Sequence, residues 1–497
     1  MSDNVTARKL PVWYKLIYGS GDIGRASFNT LRMLFYAIFL TDVVGLDARL
    51  ASFASLVAII WDAINDPIVG ALSDNVRTKW GRRRPFLLVF AVPFALAFLM
   101  LWWAPPWESQ IALMLTIMLA YMISDTLQTL ISVPYLALTP EIAVEYDERT
   151  SLTTFRMMWN LIASLLTAAA APEIIKAVVG GGATLQQAYL LVAAIFGGLS
   201  IIPFLLVFFV VRERELPPVD VDKQEQLTFK STLKEFVQNT PFKYATVIYV
   251  ANWIAFDIVS LMLPFFLLYW VASGDLLAKV NLFGVNLGVE TAALGMMFLI
   301  AILTLPLWNW LAVRMSKKKA YIIGLLLWIV IEALVWTVRP GQYGYMLALS
   351  FLVGIFTSNA HVIPEAMFPD VIDWAELKTN QRREGTYYGA INFIRKLATA
   401  IASFLALQIL GWSGYSAPDG ATTIFTQSQS ALTAIRILTG PVDHRLPGDR
   451  DGIHPALSTG PRPSASYPPF IRAPHAAGRA QRKTRVNDTF VVVVVGQ

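Results

Sequence analysis

Asp62 and Asp66 stand four residues apart in the stretch WDAINDPIVGALSD, inside an apolar run that begins near Ala51. On a helix that spacing puts both carboxylates on one face. A carboxylate at the centre of a bilayer costs about 2.5–3.5 kcal/mol on insertion scales, so a pair is expected to face a protein-lined cavity and to meet a cation, a proton or a basic partner there. Hard monovalent cations take oxygen ligands, which Asp62 and Asp66 supply. A proton can stand in for the metal ion, because two adjacent carboxylates resist ionising together. The alternative reading is a salt bridge that locks two helices. The stretch ends in a basic turn with Arg77, Lys79, Arg82, Arg83 and Arg84, which by the positive-inside rule assigns this end of the helix to the cytoplasm.

Further polar residues interrupt the other apolar runs. Arg32 lies halfway along the first run with Asn29 one turn earlier. It either neutralises Asp62 or Asp66, or presents a guanidinium fork to a carboxylate or phosphate on a substrate. Arg395 and Lys396 lie in the last long run, with Asn392 one turn before Lys396; Lys396 is expected to be the one that faces the cavity. Asp125, Gln128, Thr129 and Ser132 form a polar run, and Trp159, Asn160, Trp253 and Asp257 add amide, acid and aromatic surface of the kind that suits sugar rings and hydroxyls. His361 and Glu365 read as local pairing. Asp74, Glu141, Arg149, Arg156, Asp370, Asp373 and Arg383 sit at the basic-loop ends, where ion pairs can form in one conformational state and break in another. No GxxxxGK[ST] loop occurs, so nothing indicates an ATP-driven motor. No nucleophile triad or metal-ligand set stands out, and the chain does not read as an enzyme.

The elements that must position these groups are membrane helices. Of 497 residues, 56% are hydrophobic and 15% charged, against about 25% charged in a soluble domain, and the mean hydropathy is +0.54. There is no cysteine, which excludes disulfides and thiolate metal sites. Runs of spanning length fall at about 18–42, 51–74, 85–104, 110–138, 151–178 and 186–211, then at 242–271, 290–313, 320–338, 344–368 and 385–412. Between the two sets, residues 212–240 are charged and carry paired prolines, so the division is a helix bundle over 1–211, a cytoplasmic linker over 212–240 and a second bundle over 241–440. Basic loops alternate from side to side, which predicts a cytoplasmic N-terminus; its opening residues contain no signal-peptide core. The basic turn after the second run has a counterpart at NWLAVRMSKKKAY, a weak internal repeat of the sort found in secondary transporters. A twelfth span should start near Ile424, but apolar character ends near Gly440, and residues 441–497, rich in Pro, Arg, Gly and His, are expected to be disordered.

The segments YGSGDIGR, TDVVGL, WDAINDPIVGALSD, WGRRRP, VPYLALTPEI, ERTSLTTFR and PDVIDWAELKTNQRREG resemble the glycoside–pentoside–hexuronide:cation symporters of the major facilitator superfamily, the group of melibiose permease. WDAINDP is the most specific of them. The resemblance implies an all-α fold of two six-helix bundles, here with the twelfth helix missing or altered, rocking around a central site. It implies a cation site at Asp62, Asn65, Asp66 and Thr129, with Asp62 and Asp66 as the metal-ligating pair, and it places the group's lysine of the eleventh span on Lys396 and its substrate-side arginine on Arg156. Two sugar-binding aspartates of melibiose permease fall on Ala26 and Ser132, and a tryptophan falls on Leu136, so an α-galactoside is not expected.

The expected protein is a monomeric secondary symporter of the bacterial inner membrane. It couples sodium or a proton, with no other cofactor and no nucleic acid, to uptake of a glycoside, pentoside or hexuronide. Its expected substrate residues are Asn29, Arg32, Gln128, Arg156, Trp159, Asn392 and Lys396, and its gating residues Asp74, Arg149, Asp370, Asp373 and Arg383. The alternatives are a lysolipid or amphiphile carrier of the same fold and a non-transporting membrane sensor.

Overall fold

The computed structural model describes residues 10–143, 145–213, 240–282, 284–379, 384–418 and 424–440, with the side chains of 146–147, 240–241, 362, 365–366, 368–379 and 384–389 excepted. The expected linker, apart from its first two residues and its last, the 441–497 tail, Arg383 and the side chains of Glu365, Asp370 and Asp373 therefore lie outside the described residues.

The first half contains α1 (Val12–Ser20), α2 (Asp22–Asp42), α3 (Ala48–Asn75), α4 (Arg84–Leu101), α5 (Gln110–Ile142), α6 (Tyr146–Gly180) and α7 (Leu185–Val210). The second contains α8 (Thr240–Phe265), which continues as a π-helical turn over Phe266–Val271, then a hairpin of β1 (Lys279–Leu282) and β2 (Val285–Gly288), antiparallel with Lys279 opposite Gly288. After it come α9 (Val289–Met315), α10 (Lys317–Val335), α11 (Tyr343–Thr379), α12 (Glu384–Trp412) and the short α13 (Gln429–Thr439). Among the described residues nine helical segments are long and apolar enough to cross a membrane. Helices α2 and α10 fall outside that set because Asp22, Arg25 and Arg32, and the Lys317–Lys319 run with Glu332, sit within them.

Local chemistry sets the helix ends. Asp47 caps α3 by accepting from the Arg49 N–H at 2.8 Å, and Thr184 and Gln187 form a capping box on α7. The chain turns from α1 into α2 at Gly21, where a Cβ would lie 2.6 Å from the Tyr135 ring. With 11 residues, α13 is about 16 Å long, half of a hydrocarbon core of about 30 Å. It is held by Arg436, whose guanidinium lies over the Trp270 and Trp336 rings and donates to the Trp336 carbonyl at 2.8 Å. The apolar pattern runs out at Gly440, and so does the helix.

Small residues allow the closest crossings, as membrane bundles require. A Cβ on Gly354 of α11 would come within 2.6 Å of the Met297 carbonyl and 2.8 Å of Ile300 on α9. Gly354→Val is therefore expected to destabilise the second half by about 1–3 kcal/mol, lowering the melting temperature of the detergent-solubilised protein. Unchanged melting would mean that the crossing is looser than described.

The halves meet along three helix pairs: α2 with α8, α3 with α12, and α6 with α9. Their contacts concentrate at the end opposite the Arg77–Arg84 turn. Asp42 accepts from the hydroxyls of Tyr269, at 2.6 Å, and Tyr415. Gln408 donates to Ser52 Oγ at 2.9 Å, and the Phe53 and Phe404 rings meet edge-on at 5.0 Å. Lys176 forms a buried ion pair with Glu290 and donates to the Ala278 carbonyl at 3.2 Å. At the Arg77–Arg84 end the ion pairs stay within the first half: Arg83 pairs with Asp74 and Glu141, Arg82 with Glu141, and Glu213 accepts from the Arg83 and Arg84 N–H groups at 2.8 and 2.6 Å. Arg149 donates to the Ala143 carbonyl at 2.7 Å. Among the described residues no ion pair joins the halves at this end, so Asp74 and Arg149 are engaged within their own bundle.

Glu290→Ala would leave Lys176 charged and unpaired in a buried contact, a loss of about 3–5 kcal/mol. Because the pair joins α6 to α9 across the two halves at this end, the variant is expected to favour its opening. With no native cysteine, one cysteine introduced at Asn29 makes this readable: it should react several-fold faster with a membrane-impermeant maleimide applied to that end. An unchanged rate would show that the pair does not hold the closure.

Candidate functional site

Helix α3 presents Asp62 and Asp66 toward α5 and α12 near the middle of the bundle. Two bonds fix it against α5: Trp61 Nε1 donates to Thr126 Oγ1 at 2.9 Å, and Thr129 Oγ1 donates to Asp66 Oδ1 at 3.1 Å. Pro67 follows Asp66 inside the helix. Lacking an N–H, it leaves the Ala63 carbonyl without its helical donor, so a bare backbone acceptor stands between the two acids in sequence.

Lys396 reaches across from α12. Its ammonium lies 2.7 Å from Asp62 Oδ2 and 2.6 Å from Asp66 Oδ2, bridging both carboxylates and both halves of the protein. The side chains remain 16% (Asp62), 38% (Asp66) and 25% (Lys396) exposed, so the bridge borders open space.

Arg32 reaches neither Asp62 nor Asp66 with a hydrogen bond. Of the two readings of Arg32, the direct ion pair it makes is with a different acid: its Nη1 pairs with Asp125 Oδ1 at 2.6 Å, with the guanidinium 5.3 Å from the Phe28 and Tyr121 ring centres. Asp125 is fully buried on α5, two turns behind Ser132, where its charge demands a partner. Asn29 accepts a long 3.4 Å contact from Arg32. Asp125 lies near enough to Asp62 for their charges to interact. Asp125 Oδ2 and Asn65 Nδ2 are both buried without a hydrogen-bond partner. Three carboxylates and two fixed cations thus leave one negative charge over.

The remaining expected residues are distributed differently. Arg156 is buried on α6 and pairs with Asp22 Oδ2 at 2.8 Å, while Arg25 pairs with Asp22 Oδ1 at 2.5 Å. Arg156 also lies over the Tyr135 ring, so it is committed to holding α6 against α2 and α5. Trp159 donates from Nε1 to the Leu16 carbonyl at 3.1 Å, tying α6 to α1. Gln128 is half-buried beside Thr129, and Asn392 is exposed one turn before Lys396. The structure therefore brings together Asp62, Asn65, Asp66, Thr129 and Lys396, and adds Arg32 through Asp125. Arg156 and Trp159 stand apart from them. Asp125 belongs to the cluster although only its place in a polar run singled it out; the signal that could have found it is a lone acid within the apolar core of a span, opposite a lone arginine in another.

Two bundles of packed membrane helices with a charged cluster at the seam define a transporter of the major facilitator fold. The chain belongs to the MFS/sugar transport protein family, whose model matches residues 17–442. It is 31% identical to an uncharacterized symporter of Synechocystis, across 89% of this chain and 93% of that one. It is 27% identical to the isoprimeverose transporter of Lactiplantibacillus pentosus, across 82% and 80%, and 26% identical to a sodium-dependent lysophosphatidylcholine symporter of Danio rerio, across 87% and 82%. Among solved structures it is similar to the nucleoside transporter NupG, with a TM-score of 0.60 at 11% identity over 86% of this chain and 96% of that one, which shows the fold. The family and its neighbours are transporters, and this chain is not an enzyme.

Proposed function

We propose that the protein is a secondary symporter that couples one monovalent cation, sodium or a proton, to the movement of a small polar solute, a glycoside, pentoside or uronide. The observation that carries this reading is the Lys396 ammonium seated between Asp62 and Asp66 beside an excess carboxylate. The lysine stands where a transported cation would, tethered to the other half. A cation entering from the open end has Asp62, Asp66 and Asp125 oxygens and the bare Ala63 carbonyl within the same neighbourhood. It neutralises the leftover charge and competes with Lys396, which loosens the bridge and lets the halves rearrange. Linkage then requires substrate and cation to raise one another's affinity by the same factor, typically worth about 1–3 kcal/mol.

In this proposal the Arg77–Arg84 end is cytoplasmic, the N-terminus lies on that side of a bacterial inner membrane, and the described conformation opens inward. Asp74, Arg149, Asp370, Asp373 and Arg383 then belong to the inner closure, and the protein works as a monomer. Support for a solute of sugar size comes from the family and from relatives such as the isoprimeverose transporter. The lysophosphatidylcholine symporters are equally similar by sequence, so an amphiphile is the competing cargo. Counterflow in proteoliposomes with a panel of glycosides, pentosides, uronides and a lysolipid, with and without a sodium gradient at two pH values, tests the reading. Exchange of a polar solute accelerated by sodium or by acid is expected. Exchange of the lysolipid alone would replace the cargo, and no exchange of any solute would leave a sensor.

A further inference from the structure

The cations of the central helices are nearly all satisfied. Arg25, Arg32, Arg156, Lys176 and Lys396 each hold a carboxylate. Arg395, next to Lys396 on α12, does not. Its guanidinium lies over the Trp253 ring of α8, with Cζ 3.9 Å from the ring centre. Among the described residues no carboxylate comes within salt-bridge reach of it and no protein acceptor takes any of its N–H donors; its Nε is buried without a partner. Trp253 Nε1 is buried and unpartnered as well. Asp257, one turn further along α8, lies within electrostatic range of Arg395 but takes its hydrogen bond from Thr399 Oγ1 at 2.5 Å.

His361 of α11 completes the group. Its ring meets Trp253 and Phe256 edge-on at 5.0 and 4.8 Å. Nδ1 lies 2.8 Å from the Thr357 carbonyl, to which it can only donate, so Nε2 is left over. A guanidinium stacked on an indole keeps its planar fork pre-organised while its edge stays available, the arrangement that suits bidentate capture of an oxyanion. Successive residues point about 100° apart around a helix, so an anion on Arg395 would lie one helical step from the cluster that Lys396 joins.

We propose that Arg395, backed by Trp253 and His361, is an anion-recognition subsite in the second half, and that the transported solute carries a carboxylate, sulfonate or phosphate group. The inference deepens the symport reading and rests on it for the word transported. The binding itself does not depend on coupling. Attraction between the bound anion and the cation held at Asp62 and Asp66 gives the two ligands a direct electrostatic reason to favour one another.

The test is titration calorimetry on the purified full chain with glucuronate, 2,3-dihydroxypropane-1-sulfonate and glucose 6-phosphate, each against neutral glucose, followed by counterflow of whichever solute binds. At least one anion is expected to bind at least tenfold more tightly than glucose. Arg395→Gln should weaken that anion about 30-fold or more at an unchanged melting temperature, and Arg395→Lys should restore part of the loss. Trp253→Phe, which keeps the ring, should retain most of the binding and serves as the reporter should Arg395→Gln fold poorly, since Trp253→Ala should then lose it. Anion binding that Arg395→Gln leaves intact would overturn the proposal, as would failure of all three anions at 10 mM or a preference for glucose. Anion binding that depends on Arg395 with no cation-stimulated exchange would overturn the symport reading and leave the subsite standing.

Discussion

Asp62→Asn abolishes cation dependence: stimulation of uptake by sodium or by acid falls on the order of 100-fold, about 2.8 kcal/mol of lost coupling. The expectation follows from charge. With Asp62, Asp66 and Asp125 ionised against Arg32 and Lys396, one negative charge remains to be filled. An amide at position 62 removes it, and Lys396 still holds Asp66. The cluster is then neutral without any mobile ion, and nothing makes the carrier wait for one. Asp66→Asn leaves the same neutral set and should behave alike, with the added loss of the Thr129 contact at 3.1 Å. Cation titrations of uptake in proteoliposomes check both variants. Full coupling in both would place the ion elsewhere.

Lys396→Met acts in the opposite direction. The leftover charge grows from one to two, and two carboxylates on one helix face lose the ammonium that separates them. Cation affinity is expected to rise on the order of tenfold, while turnover falls at least as much. A bound ion then has no tethered competitor to displace it, and the link from α3 to α12 at mid-depth is gone. Lys396→Arg keeps the charge and should keep much of the turnover. Sodium binding to the detergent-solubilised variants separates the two effects. If Lys396→Met weakened cation binding, the lysine would be a support for the site and not a stand-in for the ion.

The sequence exposes the parts of this site that are local. Four-residue spacing places Asp62 and Asp66 on one helical face, and their cost in hydrocarbon announces a partner. The apolar runs mark the helices because a span must satisfy its backbone internally. The position of Lys396, far from a helix end, also singles it out. What remains hidden is pairing at long range. Arg32 finds Asp125 at a separation of 93 residues, Arg156 finds Asp22 at 134 and Lys396 finds Asp66 at 330. Nothing in the neighbouring residues chooses among several carboxylates for Arg32; bundle geometry does, by burying Asp125 within reach of Arg32. Arg156 is similar: its burial beside Asp22 and Tyr135 is a property of how α2, α5 and α6 cross. Arg395 is legible as a charge in a span, but that no carboxylate among the described residues pairs with it appears only once the helices are packed.

The most direct test of the account is to count the charge that the central cluster takes up. Binding of radiolabelled sodium to the purified protein, together with proton release or uptake measured between pH 5 and 9, gives the number of monovalent cations per chain. The account predicts one, sodium or proton, in the unmodified protein and none in Asp62→Asn or Asp66→Asn. Uptake of neither ion by the unmodified protein, or the same single ion in both variants, would contradict it.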